Sequence, residues 1–458
     1  MRSLELQPTF ENLKNAYLED SIGRNQEINK FIELLDMLED GTTICIDGKW
    51  GSGKTFFVRQ TKMVLDAFND FSGSLSDEDK DEIKRTWLKN SRNTKQEPNS
   101  QVTVYYDSWE NDNDVDPILS IVYHIIKSIG VQCPKLDVIK FSTLVGTIVD
   151  TVTNRDIYRR LESLSPQNII SEIENQKDIH DLINEFLSSV IEERGNRLII
   201  FIDELDRCKP SYAIQLLERI KHYFINDNLT FVFSVNLLEL QKTIKKYYGN
   251  GFNACEYLNR FFDIPVVLNE INLNEYFSGL VGSRISGHAY DDVFDFMIKR
   301  FHFSIRETAD YLRILRINSW NAGHSNAELI EDQAFCSVLI APIQIGLYLH
   351  DRQLYDSFVN GDYCEIIIEA INSLSVRAQQ YFYGLLLDSN ESYDEQDSKI
   401  IVSKESKIQG LCNAIFKKNY SRSYYRTVIG SIEITDDTKM YLQSITGVLS
   451  NKSKYEND

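Results

Sequence analysis

The chain has 458 residues, 42% hydrophobic and 26% charged, with a net charge of −19. That length suits two or three domains, and the composition excludes a disordered chain. The acidic balance weighs against non-specific nucleic-acid binding, which depends on clustered Lys and Arg, although a local basic patch stays open.

In chain order, residues 9–40 are expected to be helical, with Ile28, Phe31, Ile32, Leu34, Leu35 and Leu38 at helical spacing. Within them, Asp20-Ser21-Ile22-Gly23-Arg24 is turn-like. It reads either as a cap and loop or as an edge for an adenine ring. Next comes ICIDGKWGSGKT, residues 44–55. A short apolar strand runs into a Gly-rich turn that fits G-x-x-x-x-G-K-[ST] as Gly48, Gly51, Gly53, Lys54 and Thr55. In such a loop successive backbone N–H groups converge on phosphate oxygens, and the following helix adds its positive end. Lys54 is expected at the β- and γ-phosphates and the Thr55 hydroxyl on Mg²⁺. The nucleotide-binding set runs through Gly48, Lys49, Trp50, Gly51, Ser52, Gly53, Lys54, Thr55 and Phe56.

A helix is predicted over 56–71. Residues 72–100, rich in Ser, Asp, Glu, Lys and Asn, read as a charged surface insertion, partly helical around 79–88. A strand follows at 101–106, then Asp107-Ser108-Trp109-Glu110-Asn111-Asp112, then a buried helix over 118–129. The Trp and its acidic neighbours fit either core packing or a site element, because ligands of open α/β sheets lie beyond the carboxyl ends of strands. The apolar run 141–152 is too short to span a bilayer and reads as a buried or amphipathic helix.

Residues 197–202, RLIIFI, have the continuous apolar character of a strand buried on both faces. The run ends in Asp203-Glu204-Leu205-Asp206-Arg207. An acid-tipped strand of this kind complements a phosphate loop: Asp203 for the metal through water, Glu204 as general base. Asp206 and Arg207 read as an ion pair, with service to an adjacent subunit as the other reading of Arg207. A further strand, 229–235, ends at Asn236, which fits a group orienting the attacking water or a plain cap of the next turn. Arg260 lies just before the last strand, 264–268, where it is either an arginine offered to a neighbour's γ-phosphate or a surface residue.

Five apolar strands joined through helices predict a three-layer α/β sandwich, a P-loop NTPase with an ASCE-type parallel sheet. The catalytic reading requires the phosphate-loop strand and the acid-tipped strand to lie side by side. Beyond residue 269 the chain turns helical. Residues 304–317 form an amphipathic helix with Ser304 as N-cap and Arg306 near its start, a candidate γ-phosphate sensor or a surface Arg. Helical patterns recur at 364–374 and 376–387, broken by an acidic loop at 387–399. Lys417, Lys418, Arg422 and Arg426 interleave with three Tyr, which fits a solvated helix face or a nucleic-acid contact. The tail 451–458 is expected to be disordered. The expected domains are 1–270 (NTPase), 271–320 (helical lid) and 321–458 (all-helical). Seven Cys without a C-x-x-C pair suggest reduced thiols in a cytoplasmic protein, and the start MRSLELQPTF lacks the apolar core of a signal peptide.

Together these segments resemble the KAP family of P-loop NTPases. The resemblance rests on GKWGSGKT (48–55), YYDSWENDNDVDP (105–117), IIFIDELDRCKP (199–210), YLNRFFDIPVVL (257–268) and, more weakly, SIRETADYLRILRIN (304–318). It implies ATP and Mg²⁺ as ligands, ATP hydrolysis and an all-helical lid. It also implies, for bacterial members, a frequent association with defence against phage. Family members often carry transmembrane helices before the acidic strand; the interval 131–196 has none, so a form without membrane association is expected. The usual acid pair is Asp-Asp, replaced here by Asp203-Glu204; Asn236 stands where Asp is commoner, and Arg260 where Lys is commoner. The expected activity is an ATPase switch, slow or partner-activated, that self-associates or joins a protein partner in a defence complex. A non-hydrolysing nucleotide-dependent scaffold and a nucleic-acid-stimulated translocase are the alternatives.

Overall fold

The computed structural model describes residues 7–90, 97–129, 181–223, 226–269, 288–322, 335–393, 400–416 and 427–435, with 438, 439 and 442. The chain divides into two compact units, one spanning residues 6–272 and the other holding 273–458 with residues 1–5.

The first unit is built on a five-stranded parallel sheet in the order β2-β3-β4-β1-β5: β1 (Thr42–Asp47), β2 (Gln101–Asp107), β3 (Arg197–Asp203), β4 (Leu229–Val235) and β5 (Ile264–Val267). Every residue of β3 and β4 is buried, as a strand covered on both faces must be. Successive side chains then serve two cores. Ile199 and Phe201 of β3, with Ile44, Ile46 and Val232, face a layer made by α1 (Phe10–Glu19), α2 (Asn25–Asp36), α3 (Lys54–Phe68) and α4 (Asp77–Asn90). Leu198, Ile200 and Ile202, with Phe231 and Phe233, face α5 (Pro117–Ile129), the helical segment 181–194, α6 (Pro210–Tyr223) and α7 (Leu237–Tyr248). The period-2 alternation of strand side chains makes the three layers.

Two expectations are corrected here. The phosphate-loop strand β1 and the acid-tipped strand β3 are not neighbours, because β4 lies between them and pairs with both. The convergence comes instead from register, since all these strands end at the same edge of the sheet. Residues 72–90 are more than a charged surface insertion. Their helix α4 buries Ile83 and Trp87 in the core, with Trp87 edge-on to Phe68 at 5.9 Å between ring centroids. Asp79 and Glu82 of α4 also bind the Lys14 ammonium of α1 at 2.5 and 2.6 Å.

The turn at 20–24 divides α1 from α2. Asp20 is left-handed and accepts the Asn25 N–H, and Gly23 has φ +70°. Arg24 is buried, and its guanidinium donates to the carbonyl of Asn269 just beyond β5.

The second unit gathers α9 (His288–Phe301), α10 (Ile305–Ala322), α11 (Ala341–His350), α12 (Arg352–Val359), α13 (Glu365–Ser373), α14 (Val376–Leu385) and α15 (Lys404–Phe416) on one core. The short α8 (Ala254–Leu258) belongs to the first unit. Segments expected as a separate lid and C-terminal domain thus share their apolar residues. The Ser304 cap is a full capping box: the Glu307 N–H donates to Ser304 Oγ, and the Ser304 N–H donates back to the Glu307 carboxylate. The region is helical with two added ribbons, β6 (Glu391–Ser392) with β7 (Ile400–Ile401), and β8 (Thr427–Ile429) with β9 (Ile432–Ile434). Cys364 and Cys412 form a disulfide between the start of α13 and α15, which corrects the expectation of reduced thiols at these two positions. Residues 141–152, the interleaved Lys/Arg/Tyr stretch at 417–426, and the tail 451–458 lie outside the described residues. No helix among the described residues is long and apolar enough to cross a membrane.

Candidate functional site

The site is assembled at the carboxyl edge of the sheet. β1 ends at Asp47, whose carboxylate accepts the Leu237 N–H at 3.0 Å and so fastens the start of α7 to the phosphate loop. The loop then turns through Gly51 (φ +77°) and Gly53 (φ +85°), conformations that favour residues without a Cβ. At Gly48 a Cβ would stand 2.7 Å from Ser52 Oγ, so a larger residue there would have to displace that hydroxyl. Lys54 opens α3. Its ammonium is buried and donates to the carbonyls of Gly48 and Lys49, at 2.5 and 3.1 Å. Burial lowers its pKa, while the charges of Asp206, Asp203, Glu204 and Asp47 pull it back up. Those four carboxylates and Lys54 therefore share one pocket of charge.

Across β4, the acid-tipped strand presents Asp203, itself buried. One of its oxygens accepts the Tyr105 hydroxyl at 2.9 Å and the other the Glu204 N–H at 3.0 Å. Glu204 has φ +62°, rare for a residue with a Cβ. A left-handed L-residue is strained by about 1–2 kcal/mol, and such strain concentrates at functional sites. Burial first, and then the Asp203 charge, lift the Glu204 carboxyl to about 7, with Arg207 opposing. Burial and the Asp203 charge also raise Asp107, which stands directly opposite Asp203 across the β2–β3 ladder.

The expected Asp206–Arg207 pair does not form. A 3₁₀ turn, Leu205–Arg207, follows Glu204, and in that geometry side chains three apart eclipse. Arg207 accordingly pairs with Glu204 through its Nε. Its guanidinium carbon lies 6.0 Å from the Trp50 ring centre and 5.5 Å from that of Trp109, both rings about half exposed. Asp206 is left to accept the indole N–H of Trp50 at 2.6 Å. Trp50 thus joins the phosphate loop to the acidic turn. Tyr105 and the partnering of Trp50 with Asp206 were not evident from the sequence as site features. The alternation of β2 was the available signal, since it points Tyr105 and Asp107 to one face of the sheet.

The remaining expected residues are placed as follows. Asn236 is buried, caps α7, and accepts the Glu239 N–H at 3.4 Å. Lys49 is exposed, and Phe56 is partly buried against the α1–α4 core. Arg260 is exposed at the opposite, amino edge of the sheet, where it lines a cavity of about 260 Å³ with Asp40, Asp227 and Asp263. The length of β1, roughly 3.3 Å per residue, separates it from Lys54 of its own chain. Arg306 is exposed on the first turn of α10, in the second unit.

The residues present suit a triphosphate with a divalent cation. Ser52 Oγ is buried in the loop without a partner, the donors are backbone N–H groups and an ammonium, and Thr55 and Asp203 carry hard oxygens of the kind such a cation prefers.

A phosphate loop after β1, an acid-tipped β3 and an intervening β4 followed by the polar Asn236 define a P-loop NTPase of the ASCE arrangement. Residues 24–281, more than half of the chain, match the KAP family P-loop domain, and the chain belongs to that family. It is also 46% identical over 50 residues to the uncharacterized protein MJ0182 of Methanocaldococcus jannaschii, a stretch that covers 10% of this chain and 26% of that one. Among solved structures it is similar to the Aeropyrum pernix ORC1 protein in complex with DNA. That match has 11% identity and a TM-score of 0.34, covering 93% of this chain and 82% of that one. It is likewise similar to the Aeropyrum pernix ORC2 protein in its ADPNP–ADP complexes (10% identity, TM-score 0.31, 95% and 93% covered).

Proposed function

We propose that this chain is a Mg²⁺-dependent ATPase acting as a nucleotide-driven switch, in a bacterial anti-phage defence system. One observation carries the catalytic part. The buried Lys54 ammonium and the carboxylates of Asp203 and Glu204 feel one another's charge at one edge of one sheet. The phosphate loop and Lys54 bind the β- and γ-phosphates of ATP. Thr55 and Asp203 would hold Mg²⁺, which would supply charge withdrawal from the phosphoryl oxygens. Glu204 takes a proton from the attacking water. The water oxygen bonds to the γ-phosphorus as the bond to the β–γ bridging oxygen breaks, leaving ADP and phosphate. Asn236 orients that water through its amide, Arg260 serves the γ-phosphate of an adjacent copy, and Arg306 senses closure of the helical unit. Self-association or a protein partner follows from the Arg260 role, since its own loop is out of reach. The defence role rests on the family resemblance.

The test is phosphate release by the purified chain. Glu204→Gln is expected to lower turnover about 10²–10⁴-fold while ATP still binds, the usual size of a general-base contribution. Lys54→Ala is expected to abolish ATP binding. Wild-type turnover in the first variant sinks the base assignment, and retained ATP affinity in the second sinks the loop assignment.

A further inference from the structure

We infer that Arg207 is a latch on Glu204, and that Trp50 ties the latch to the phosphate loop. The inference rests on the assignment of Glu204 as base. Three observations converge on it. Arg207 Nε is ion-paired with one oxygen of the Glu204 carboxylate, which engages that oxygen and draws on the negative charge it would use to take a proton from water. The pair is partly exposed, 26% for Arg207 and 20% for Glu204, so it is able to open without disturbing the core. The guanidinium also rests against two half-exposed indoles, a support of about 0.5–1 kcal/mol per ring at exposed sites. That is enough to bias the side chain and too little to fix it.

One of those indoles belongs to the phosphate loop. Trp50 lies between Gly48 and Gly51, and its N–H is spent on Asp206, one residue before Arg207. A shift of the loop backbone around a bound triphosphate is therefore felt at Asp206 and Arg207 together. Trp109 comes from the β2–α5 connection, so the latch also answers to that segment. A partner pressing on the exposed Trp109 would draw Arg207 away from Glu204. The pair is thus a positioning device, acting through Glu204 and not on the substrate.

Measured with Mg²⁺–ATP, Arg207→Ala is expected to raise kcat several-fold with KM for ATP within about twofold. Arg207→Lys, which keeps the charge without the planar fork, is expected to fall between the two. The double variant Arg207→Ala/Glu204→Gln is expected to be as slow as Glu204→Gln alone. Retained binding of a non-hydrolysable ATP analogue reports that each variant is folded. In the wild type that analogue with Mg²⁺ is expected to change tryptophan emission, and Arg207→Ala is expected to lose most of the change. A kcat for Arg207→Ala equal to or below wild type overturns the latch. An unchanged emission signal in Arg207→Ala overturns the coupling through Trp50. Wild-type turnover in Glu204→Gln alone overturns the underlying base assignment instead, a result that does not involve Arg207.

Discussion

The two edges of the central sheet both bury charged groups and treat them differently. At the amino edge Arg197 is an interior guanidinium held by four acceptors. It donates to the carbonyls of Leu38, Asp40 and Asp227 and to the Thr230 hydroxyl, at 2.6–3.0 Å. At the carboxyl edge Asp203, Glu204 and Asp206 crowd one ammonium. Glu204 sits in a strained backbone conformation, and the buried hydroxyls of Ser52, Ser108 and Ser234 find no partner. Burial by itself therefore does not mark a site. A satisfied buried charge holds strands together, whereas crowded charges beside unsatisfied hydroxyls are groups kept ready for something else.

This contrast is most directly broken by removing Arg197. Arg197→Met leaves three carbonyls and a hydroxyl without their donor, and is expected to cost about 2–4 kcal/mol of stability. Among the folded molecules ATP affinity should be unchanged. Urea unfolding and nucleotide titration of the same sample read both quantities. A variant of wild-type stability, or one with selectively weakened ATP binding, would erase the distinction between the edges.

A smaller effect sharpens the other side. Glu204 is lifted from 4.5 to about 7, so between those values the folded chain keeps a proton that the unfolded chain has lost. A raised carboxyl pKa costs stability. The cost is complete above about pH 7, shrinks as pH falls, and is gone below about pH 4.5. Glu204→Gln has no such proton. Its stability relative to wild type should rise across that window and be level on either side. Parallel pH–stability curves for the two proteins would mean that the carboxyl is not perturbed.

The difference between the edges also explains what was legible in the sequence. RLIIFI and LTFVFSV announce buried strands because both faces are covered. The phosphate loop announces itself because its glycines are needed for backbone shape. By contrast, α4 hides Ile83 and Trp87, one turn apart, in a segment whose charges dominate the composition. The partner of Arg207 depends on the left-handed turn at Glu204, and no residue type encodes that turn. Asp206 looked like the natural partner because it is adjacent in sequence, but the 3₁₀ geometry turns it toward Trp50 instead. The place of β4 between β3 and β1 was implied only by the ASCE class, because strand order in a parallel sheet is set by crossover packing, not by any local signal. Cys364 and Cys412 are 48 residues apart, and only the packing of α13 against α15 brings them together.

The mildest change tests how the carboxyl edge is held. Tyr105 donates its hydroxyl to Asp203, while the Arg59 guanidinium lies 4.2 Å above the Tyr105 ring. Burial, with the Asp203 charge second, raises the Tyr105 pKa, so the phenol stays protonated and remains a donor. One neutral-to-charged hydrogen bond of this kind orients a carboxylate without neutralising it. Tyr105→Phe keeps the ring under Arg59 and removes only the donor. At saturating ATP the Mg²⁺ concentration for half-maximal turnover is expected to change by roughly five-fold, corresponding to about 1 kcal/mol, with the fold untouched. If the Mg²⁺ dependence stays put while turnover falls, Tyr105 acts on something other than Asp203. If neither moves, the hydroxyl is only filling space at the edge of the α1–α4 core, and that corner of the carboxyl edge is built like the amino one.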